Sequence, residues 1–158
     1  MTPKVAIVTD SLACLTEELV EQYGVRIVPL SFYFDGTVYR DGVDVTPSQA
    51  YELFLKAPEL FKTSPASPTK FFEAYRELSK QAKDILCITL SSKPSTEYDM
   101  ARVAKEQAKS ELPQTSIEVL DSQTVTAAQG FVTLAAARAA AEGKGLAEVV
   151  KVAEEMRG

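Results

Sequence analysis

The chain has 158 residues, a formal net charge of −5 and no histidine. Without histidine, the sequence excludes Ser-His-Asp and Cys-His catalytic arrangements and every histidine-ligated metal site. Its two cysteines alone do not complete a tetrahedral zinc site, and its acidic balance argues against a nucleic-acid backbone as a partner.

Length and composition predict one globular domain over residues 1–158, because 46% of the residues are hydrophobic and 25% are charged. The apolar run Val5 to Val8 is too short for a signal peptide or a membrane span. We therefore expect a cytoplasmic protein in which Cys14 and Cys87 are reduced, buried thiols.

The first part of the chain alternates a strand, a helix and a second strand. Residues 4–9 form a short β-branched run, which is typical of a buried strand. Thr16 is placed to cap a helix that Gly24 ends. Residues 25–29 then predict the second strand.

The next stretch predicts a hairpin and a helix. Residues 31–34 alternate polar and apolar side chains, and Asp35-Gly36 is a strong turn signal before residues 37–39. Thr46-Pro47 begins a helix, with the hydroxyl at the cap and the proline at the first helical position. Residues 62–68, with two prolines and three hydroxyls, predict a loop.

The rest of the chain continues the alternation of strands and helices. The predicted strands are 85–90 and 117–120, and the predicted helices are 68–81, 96–110, 124–142 and 146–156. Strands separated by helices of this length pair in parallel through right-handed crossovers. The sequence therefore predicts an α/β fold: an open, mostly parallel sheet with helices on both faces.

Hydroxyl side chains collect where the predicted strands end. They are Thr9 and Ser11; Thr63, Ser64 and Ser67; Ser91, Ser92, Ser95 and Thr96; and Ser122, Thr124 and Thr126. Ligands of open parallel sheets bind at the carboxyl ends of the strands, and helix N-termini with hydroxyls suit a carboxylate or a phosphate. The alternative is that each hydroxyl only caps its own helix.

Two other functions are compatible with these residues. Asp10, Asp44 and Asp121 are loop carboxylates of the kind that hold Mg²⁺ in a small phosphotransfer or hydrolase domain. An apolar face for a partner subunit, or for a second copy in a homodimer, is the other alternative. No GxGxxG or GxxxxGK[ST] motif is present, so neither nucleotide-binding fingerprint supports an enzyme.

An ordered set of segments resembles the DegV family from Val5 to about Val150. The segments are Thr9-Asp-Ser11, Val28-Pro-Leu30, Tyr39-Arg-Asp-Gly-Val-Asp-Val45, Thr63-Ser-Pro-Ala-Ser-Pro68, Ser91-Ser-Lys-Pro-Ser95 with Tyr98 and Ala101, Asp121-Ser122, and Gly130. Any one segment is weak evidence, whereas the ordered set is specific.

The resemblance implies a bacterial fatty-acid-binding carrier without catalytic residues or cofactor. Members of this family hold one long acyl chain between two α/β domains and present its carboxylate to a separate fatty-acid kinase subunit. They are about twice as long as this chain. The chain therefore resembles the N-terminal domain alone, and the family's second domain is expected to be absent.

The resemblance also implies the site residues. Thr63 and Ser64 match the family's Thr-Ser pair near the ligand carboxylate, and Ser95 matches the serine of the second loop. The peptide N–H of Thr96 is expected to help because it lies at a helix N-terminus, and Ser92 is a further candidate.

The second loop departs from the family's Ser-Ser-x-Leu-Ser-Gly-Thr-Tyr pattern. Pro94 replaces the leucine, Thr96 the glycine and Glu97 the threonine. A glycine allows a ligand to approach the backbone closely, and Thr96 restricts that approach. Glu97 adds a carboxyl group near a site expected to bind a carboxylate.

Overall fold

The computed structural model describes residues 4–158. Within this range, the chain forms seven strands and six α-helices. The strands are β1 (Val5–Asp10), β2 (Arg26–Val28), β3 (Ser31–Phe34), β4 (Thr37–Arg40), β5 (Phe61–Ser64), β6 (Asp84–Thr89) and β7 (Ser116–Asp121). The helices are α1 (Glu17–Tyr23), α2 (Pro47–Lys56), α3 (Pro68–Leu78), α4 (Glu97–Glu111), α5 (Thr126–Ala141) and α6 (Leu146–Arg157).

The larger sheet is parallel, and its strand order is β2-β1-β6-β7. Side chains of successive residues point to opposite faces, so β1 contributes Ala6 and Val8 to one core and Val5 and Ile7 to the other. Helices α3 and α4 cover the first face, and α5 and α6 cover the second. The predicted parallel sheet with helices on both faces is therefore confirmed.

A smaller antiparallel sheet, with the order β4-β3-β5, lies apart from the parallel one. Its β3–β4 hairpin turns at Asp35 and Gly36, which both have positive φ, as the predicted tight turn requires. The prediction of a loop over residues 62–68 is wrong at its start, because Phe61–Ser64 forms β5 and pairs with β3. Its partner is distant in sequence, so no local pattern indicated it.

Helix α5 packs against a short 3-10 helix, Ser11–Ala13, and this contact requires a glycine. A Cβ atom placed on Gly130 would lie 2.5 Å from the carbonyl oxygen of Ala13. The carbonyl belongs to the backbone and has little room to move. Gly130 therefore fixes how closely α5 approaches the segment that follows β1.

Two further expectations concern the cysteines and the bilayer. Cys87 is buried, as predicted, but Cys14 is exposed. Its αL backbone ends the short 3-10 helix and turns its side chain outward.

Among residues 4–158, no helix has both the length and the apolar character that crossing a bilayer demands.

Candidate ligand-binding site

The loops that follow β1 and β6 are tied together by one buried carboxyl group. The carboxylate of Asp10 accepts hydrogen bonds from the backbone N–H of Leu12 at 3.0 Å and of Leu90 at 2.8 Å. The side-chain amide of Gln129, from α5, donates a third at 3.0 Å. Asp10 is thus occupied in holding the carboxyl edge of the sheet together, although burial raises its pKa.

A cavity of about 790 Å³ opens at this edge and collects the hydroxyl groups. All five residues that the resemblance and the helix terminus indicated line it: Thr63, Ser64, Ser92, Ser95 and Thr96. We call it the hydroxyl cavity. The first two residues come from β5 of the antiparallel sheet, and the other three follow β6 of the parallel sheet. The cavity is thus a junction between the two sheets.

The hydroxyls of Ser95 and Thr63 are free to donate to a ligand. Ser95 Oγ accepts a hydrogen bond from the Glu97 N–H at 3.2 Å, which leaves its own proton available. Within residues 4–158, no side-chain hydrogen bond engages Thr63, whose backbone is fixed by pairing with Phe32.

Ser64 and Ser92 are partly committed to other groups. Ser64 Oγ donates a long hydrogen bond of 3.4 Å to its neighbour's carbonyl, that of Pro65. Ser92 Oγ donates to the carboxylate of Asp121 at 2.5 Å, and the Ser92 N–H reaches the same carboxylate at 3.3 Å. Ser92 therefore lines the cavity while its proton points to Asp121.

The N-terminus of α4 adds backbone donors to the cavity wall. Thr96 precedes the helix, its side chain caps no backbone group, and its N–H bonds to none of the other residues that the structure describes. The first N–H groups of a helix have no partner inside the helix, and they carry partial positive charge. The N–H of Thr96, at the N-terminus of α4, is therefore available to donate a hydrogen bond to an anion.

Charged side chains around the hydroxyl cavity are few. Lys93 is its one cation, and Asp41 and Asp99 are its carboxylates, among the residues that the structure describes. Hydroxyls and backbone N–H groups therefore supply most of the donors to an anion. An arrangement of this kind orients a carboxylate without surrounding it by positive charge.

A second cavity, of about 840 Å³, lies beside the first and is lined mainly by apolar side chains. We call it the apolar cavity. Its wall includes Leu15 and Val20 near α1, Ile27 from β2, and Tyr51 and Phe54 from α2. Phe54 packs edge-on against Phe61, with ring centroids 5.6 Å apart.

The two cavities share part of their walls. Leu12, Asp41, Ala50 and Phe61 line both. A ligand with a polar head and a long apolar tail therefore fits the combined shape, with its head among the hydroxyls and its tail against the aromatic and aliphatic side chains. Phe61 is held at the junction by stacking on Phe32, with ring centroids 4.5 Å apart.

Sequence reasoning noted Glu97 as an added charge but missed its position. The side chain is fully buried, and its Oε2 accepts a hydrogen bond from the Ala66 N–H at 2.9 Å. Burial, with the neighbouring carboxyl of Asp10, raises the pKa of Glu97 to about 8. No pattern in the sequence indicated this, because the contact joins segments 31 residues apart.

The magnesium alternative finds little support in the geometry. Asp121 accepts from Ser92 and from the Gln123 N–H, and Asp44 pairs with Arg40 at 2.8 Å. Over residues 4–158, no three His, Cys, Asp or Glu side chains form a group able to hold a metal ion. These carboxylates serve as turn and loop partners.

Comparison with known proteins gives a consistent set of relatives. The model of the family described as "Uncharacterised protein, DegV family" matches residues 4–158. A DegV domain-containing protein from Caldanaerobacter subterraneus subsp. tengcongensis is 38% identical over 152 residues, which cover 96% of this chain and 52% of that protein. The chain thus spans about half the length of the curated relatives it matches.

Solved structures agree with these relatives. A stearic-acid-binding protein from Eubacterium ventriosum superposes with a TM-score of 0.87 at 32% identity, over 95% of this chain and 52% of that one. DegV, a fatty acid binding protein from Bacillus subtilis, superposes with a TM-score of 0.88 at 30% identity, over 98% of this chain and 54% of that one.

Proposed function

The chain belongs to the DegV family, and from that membership we propose that it binds one long-chain fatty acid as a carrier. The observation that carries the proposal is the shared wall between the hydroxyl cavity and the apolar cavity. Similar proteins from Eubacterium ventriosum and Bacillus subtilis are described as fatty-acid-binding, which supports the same ligand class.

The carboxylate would lie in the hydroxyl cavity. We assign its donors to the hydroxyls of Thr63, Ser64 and Ser95 and the peptide N–H of Thr96, with Ser92 at the wall. A neutral hydrogen bond contributes about 1 kcal/mol net, and more when its acceptor is charged. These groups therefore fix the position of the head group and add a modest part of the affinity.

The tail would lie in the apolar cavity and supply most of the affinity. Burying each CH₂ group contributes about 0.8 kcal/mol, so a chain of about 16 carbons gives on the order of 10 kcal/mol before the costs of association. The reverse orientation would bury the carboxylate among apolar side chains, which costs several kcal/mol.

The proposed role is that of a carrier, not an enzyme, acting as a single domain without a cofactor. The open hydroxyl cavity leaves the ligand carboxylate accessible, as presentation to a fatty-acid kinase subunit requires. The apolar cavity is also open to solvent on one side, so we propose that a further segment or a second copy in a homodimer covers the tail.

The first test is to purify the chain gently, compare its native and denatured masses, and extract the bound molecule with organic solvent. A retained fatty acid supports the carrier. If the purified chain contains none and binds no added oleic acid, this length alone does not form a complete site and the proposal fails for it.

The tail position is tested by charge insertion at the junction of the cavities. Ala50 lines both cavities from α2, whereas Ser48 on the same helix is exposed and lines neither. Ala50→Glu is expected to abolish binding of oleic acid, and the matched variant Ser48→Glu is expected to bind normally. Equal binding by the two variants would place the tail elsewhere.

The head-group position is tested by removing hydroxyls. Thr63→Val with Ser95→Ala is expected to weaken binding of oleic acid roughly tenfold or more, since each lost hydrogen bond costs about 1 kcal/mol. Thr69→Ala, in the nearby first turn of α3 but outside the cavity wall, is the control. Unchanged affinity in the double variant would refute the assignment.

A further inference from the structure

Glu97 is the buried ionisable residue at the centre of the hydroxyl loops. It is the first residue of α4, and none of its side chain is exposed to solvent. Its Oε2 accepts from the Ala66 N–H at 2.9 Å, and its own N–H donates to Ser95 Oγ at 3.2 Å. One residue therefore contacts the loop that follows β5 and the loop that precedes α4.

These contacts fix the distance between the proposed carboxylate donors. Ala66 lies two residues after Ser64, and Ser95 lies two residues before Glu97. Without the side chain of Glu97, the Ala66 N–H would be a buried donor with no partner, which is unfavourable. The loop that carries Thr63 and Ser64 would then lose its link to the loop that carries Ser95.

The surroundings of Glu97 favour its neutral form. Its Oε1 is buried and has no hydrogen-bond partner among the described residues. The carboxyl of Asp10, at the end of β1, acts on Glu97, and Asp10 has three N–H donors where Glu97 has one. Of the two carboxyls, Glu97 is therefore the one that keeps a proton.

Among residues 4–158, no cation is one of the groups that shift the pKa of Glu97. Besides Asp10, the thiol of Cys87 in β6 interacts electrostatically with Glu97. Tyr75 of α3 contacts α4 through its hydroxyl, which donates to the Ala101 carbonyl at 3.0 Å, and it too is neutral. Burial raises the pKa values of both the Cys87 thiol and the Tyr75 hydroxyl.

We propose that Glu97, as an uncharged carboxylic acid, is a positioning residue that holds the two hydroxyl loops around the fatty-acid carboxylate, and that its ionisation releases the ligand. This inference rests on the proposed function. Ionisation acts in two ways: it places a second negative charge near the ligand carboxylate, and it favours a solvent-exposed Glu97 that no longer reaches Ala66. The ligand is thus retained near neutral pH and lost in alkali.

The experiment measures binding of 11-dansylaminoundecanoic acid at about pH 6.5 and about pH 9.5. The unaltered chain is expected to bind about tenfold more weakly at the higher pH, equivalent to one pKa unit of coupling. Glu97→Gln keeps an acceptor for Ala66 without a titrating proton, so its affinity is expected to stay constant. Glu97→Ala is expected to bind weakly at both pH values.

Glu111→Gln is the matched control, because it removes an exposed carboxyl from the other end of the same helix. It is expected to keep the pH dependence of the unaltered chain. Persistence of that dependence in Glu97→Gln, or its absence from the unaltered chain that binds the probe, would overturn the inference and leave the proposed function intact.

Hydrogen exchange of the Ala66 amide gives a measurement that needs no ligand. Protection is expected in the unaltered chain at about pH 6.5 and in Glu97→Gln, and its selective loss is expected in Glu97→Ala. If the unaltered chain binds no fatty acid at either pH, the proposed function and ligand release both fail. Equal protection in all variants overturns the link between the loops.

Discussion

The parallel sheet and the antiparallel sheet use their apolar residues differently. Helix α5, on the parallel sheet, buries eight of its residues, whereas α2, beside the antiparallel sheet, buries none. Exposed large hydrophobic side chains such as Tyr51, Phe54 and Leu55 collect on α2. The first region is a self-sufficient core, and the second presents its apolar surface to the cavities.

This difference separates stability from binding. Substitutions in the core of the parallel sheet should lower the free energy of unfolding, and substitutions around α2 should mainly change ligand affinity. Glu97 and Gly130 lie where elements from distant parts of the chain meet. Four predictions test this separation.

The largest effect is expected from a core phenylalanine. Phe71 is fully buried and Phe54 is 41% exposed. Phe71→Ala should lower the free energy of unfolding by about 3–5 kcal/mol, because it removes a buried ring and leaves a cavity. Phe54→Ala should cost about 1 kcal/mol or less while weakening fatty-acid binding. Urea denaturation of the two variants measures their losses of unfolding free energy. Similar losses would contradict the separation of a stabilising core from a binding surface.

Glu97→Gln should stabilise the protein in a pH-dependent way. The folded-state pKa of Glu97, about 8, is above its ordinary value of 4.5, so the folded chain binds more protons between these values. Stability therefore falls as pH rises from about 4.5 to about 8, by at most about 1.4 kcal/mol per unit.

The Glu97→Gln variant does not lose stability in this way, because glutamine does not ionise. Its unfolding free energy should exceed that of the unaltered chain by a few kcal/mol at about pH 9 and match it near pH 4. Parallel urea curves at the two pH values give the difference. A constant difference at all pH values would show that Glu97 ionises normally.

Gly130→Ala should destabilise the protein by about 1–3 kcal/mol, the usual cost of forcing an extra group into a packed site. The added Cβ meets the Ala13 carbonyl oxygen, whereas a Cβ on Gly145 meets nothing within 4 Å. Gly145→Ala is therefore the control and should change stability by less than about 1 kcal/mol. Thermal unfolding of the two variants separates crowding from the general effect of replacing glycine.

The smallest effect is expected from a surface ion pair on the parallel sheet. Arg26 and Glu77 approach to 2.8 Å, and their side chains are 46% and 52% exposed. Arg26→Ala should change the free energy of unfolding by less than about 1 kcal/mol, because solvent screens exposed charges. A larger loss of unfolding free energy, measured at about 0.1 M salt, would show that this ion pair stabilises the parallel sheet despite its exposure to solvent.

The parallel sheet could be predicted because its information is local. Residues 85–90 form a continuous apolar run, and the structure has β6 at Asp84–Thr89. β5 was missed because it pairs with β3 across about 30 residues, and a proline-rich segment follows it directly. Its own residues carry no signal that separates a strand from a loop.

The sequence indicated which hydroxyl side chains would lie together at the cavity, but not their hydrogen bonds. The strand ends and the family resemblance indicated Thr63 and Ser95, and both line the hydroxyl cavity. The proton of Ser92 points to Asp121, and Glu97 is buried against Ala66, through contacts 29 and 31 residues apart. Side-chain partners at such separations depend on the completed fold, so the sequence pattern does not determine them.

The hydroxyl cavity has a consequence for synthesis of the protein. Its wall includes Leu12 near one end of the chain, Thr63 and Ser95 in the middle, and Thr126 at the start of α5. A nascent chain on the ribosome therefore has no complete site until α5 has emerged. A fatty acid that binds only the finished site, as proposed, would not guide the early steps of folding and would stabilise the domain by mass action after synthesis.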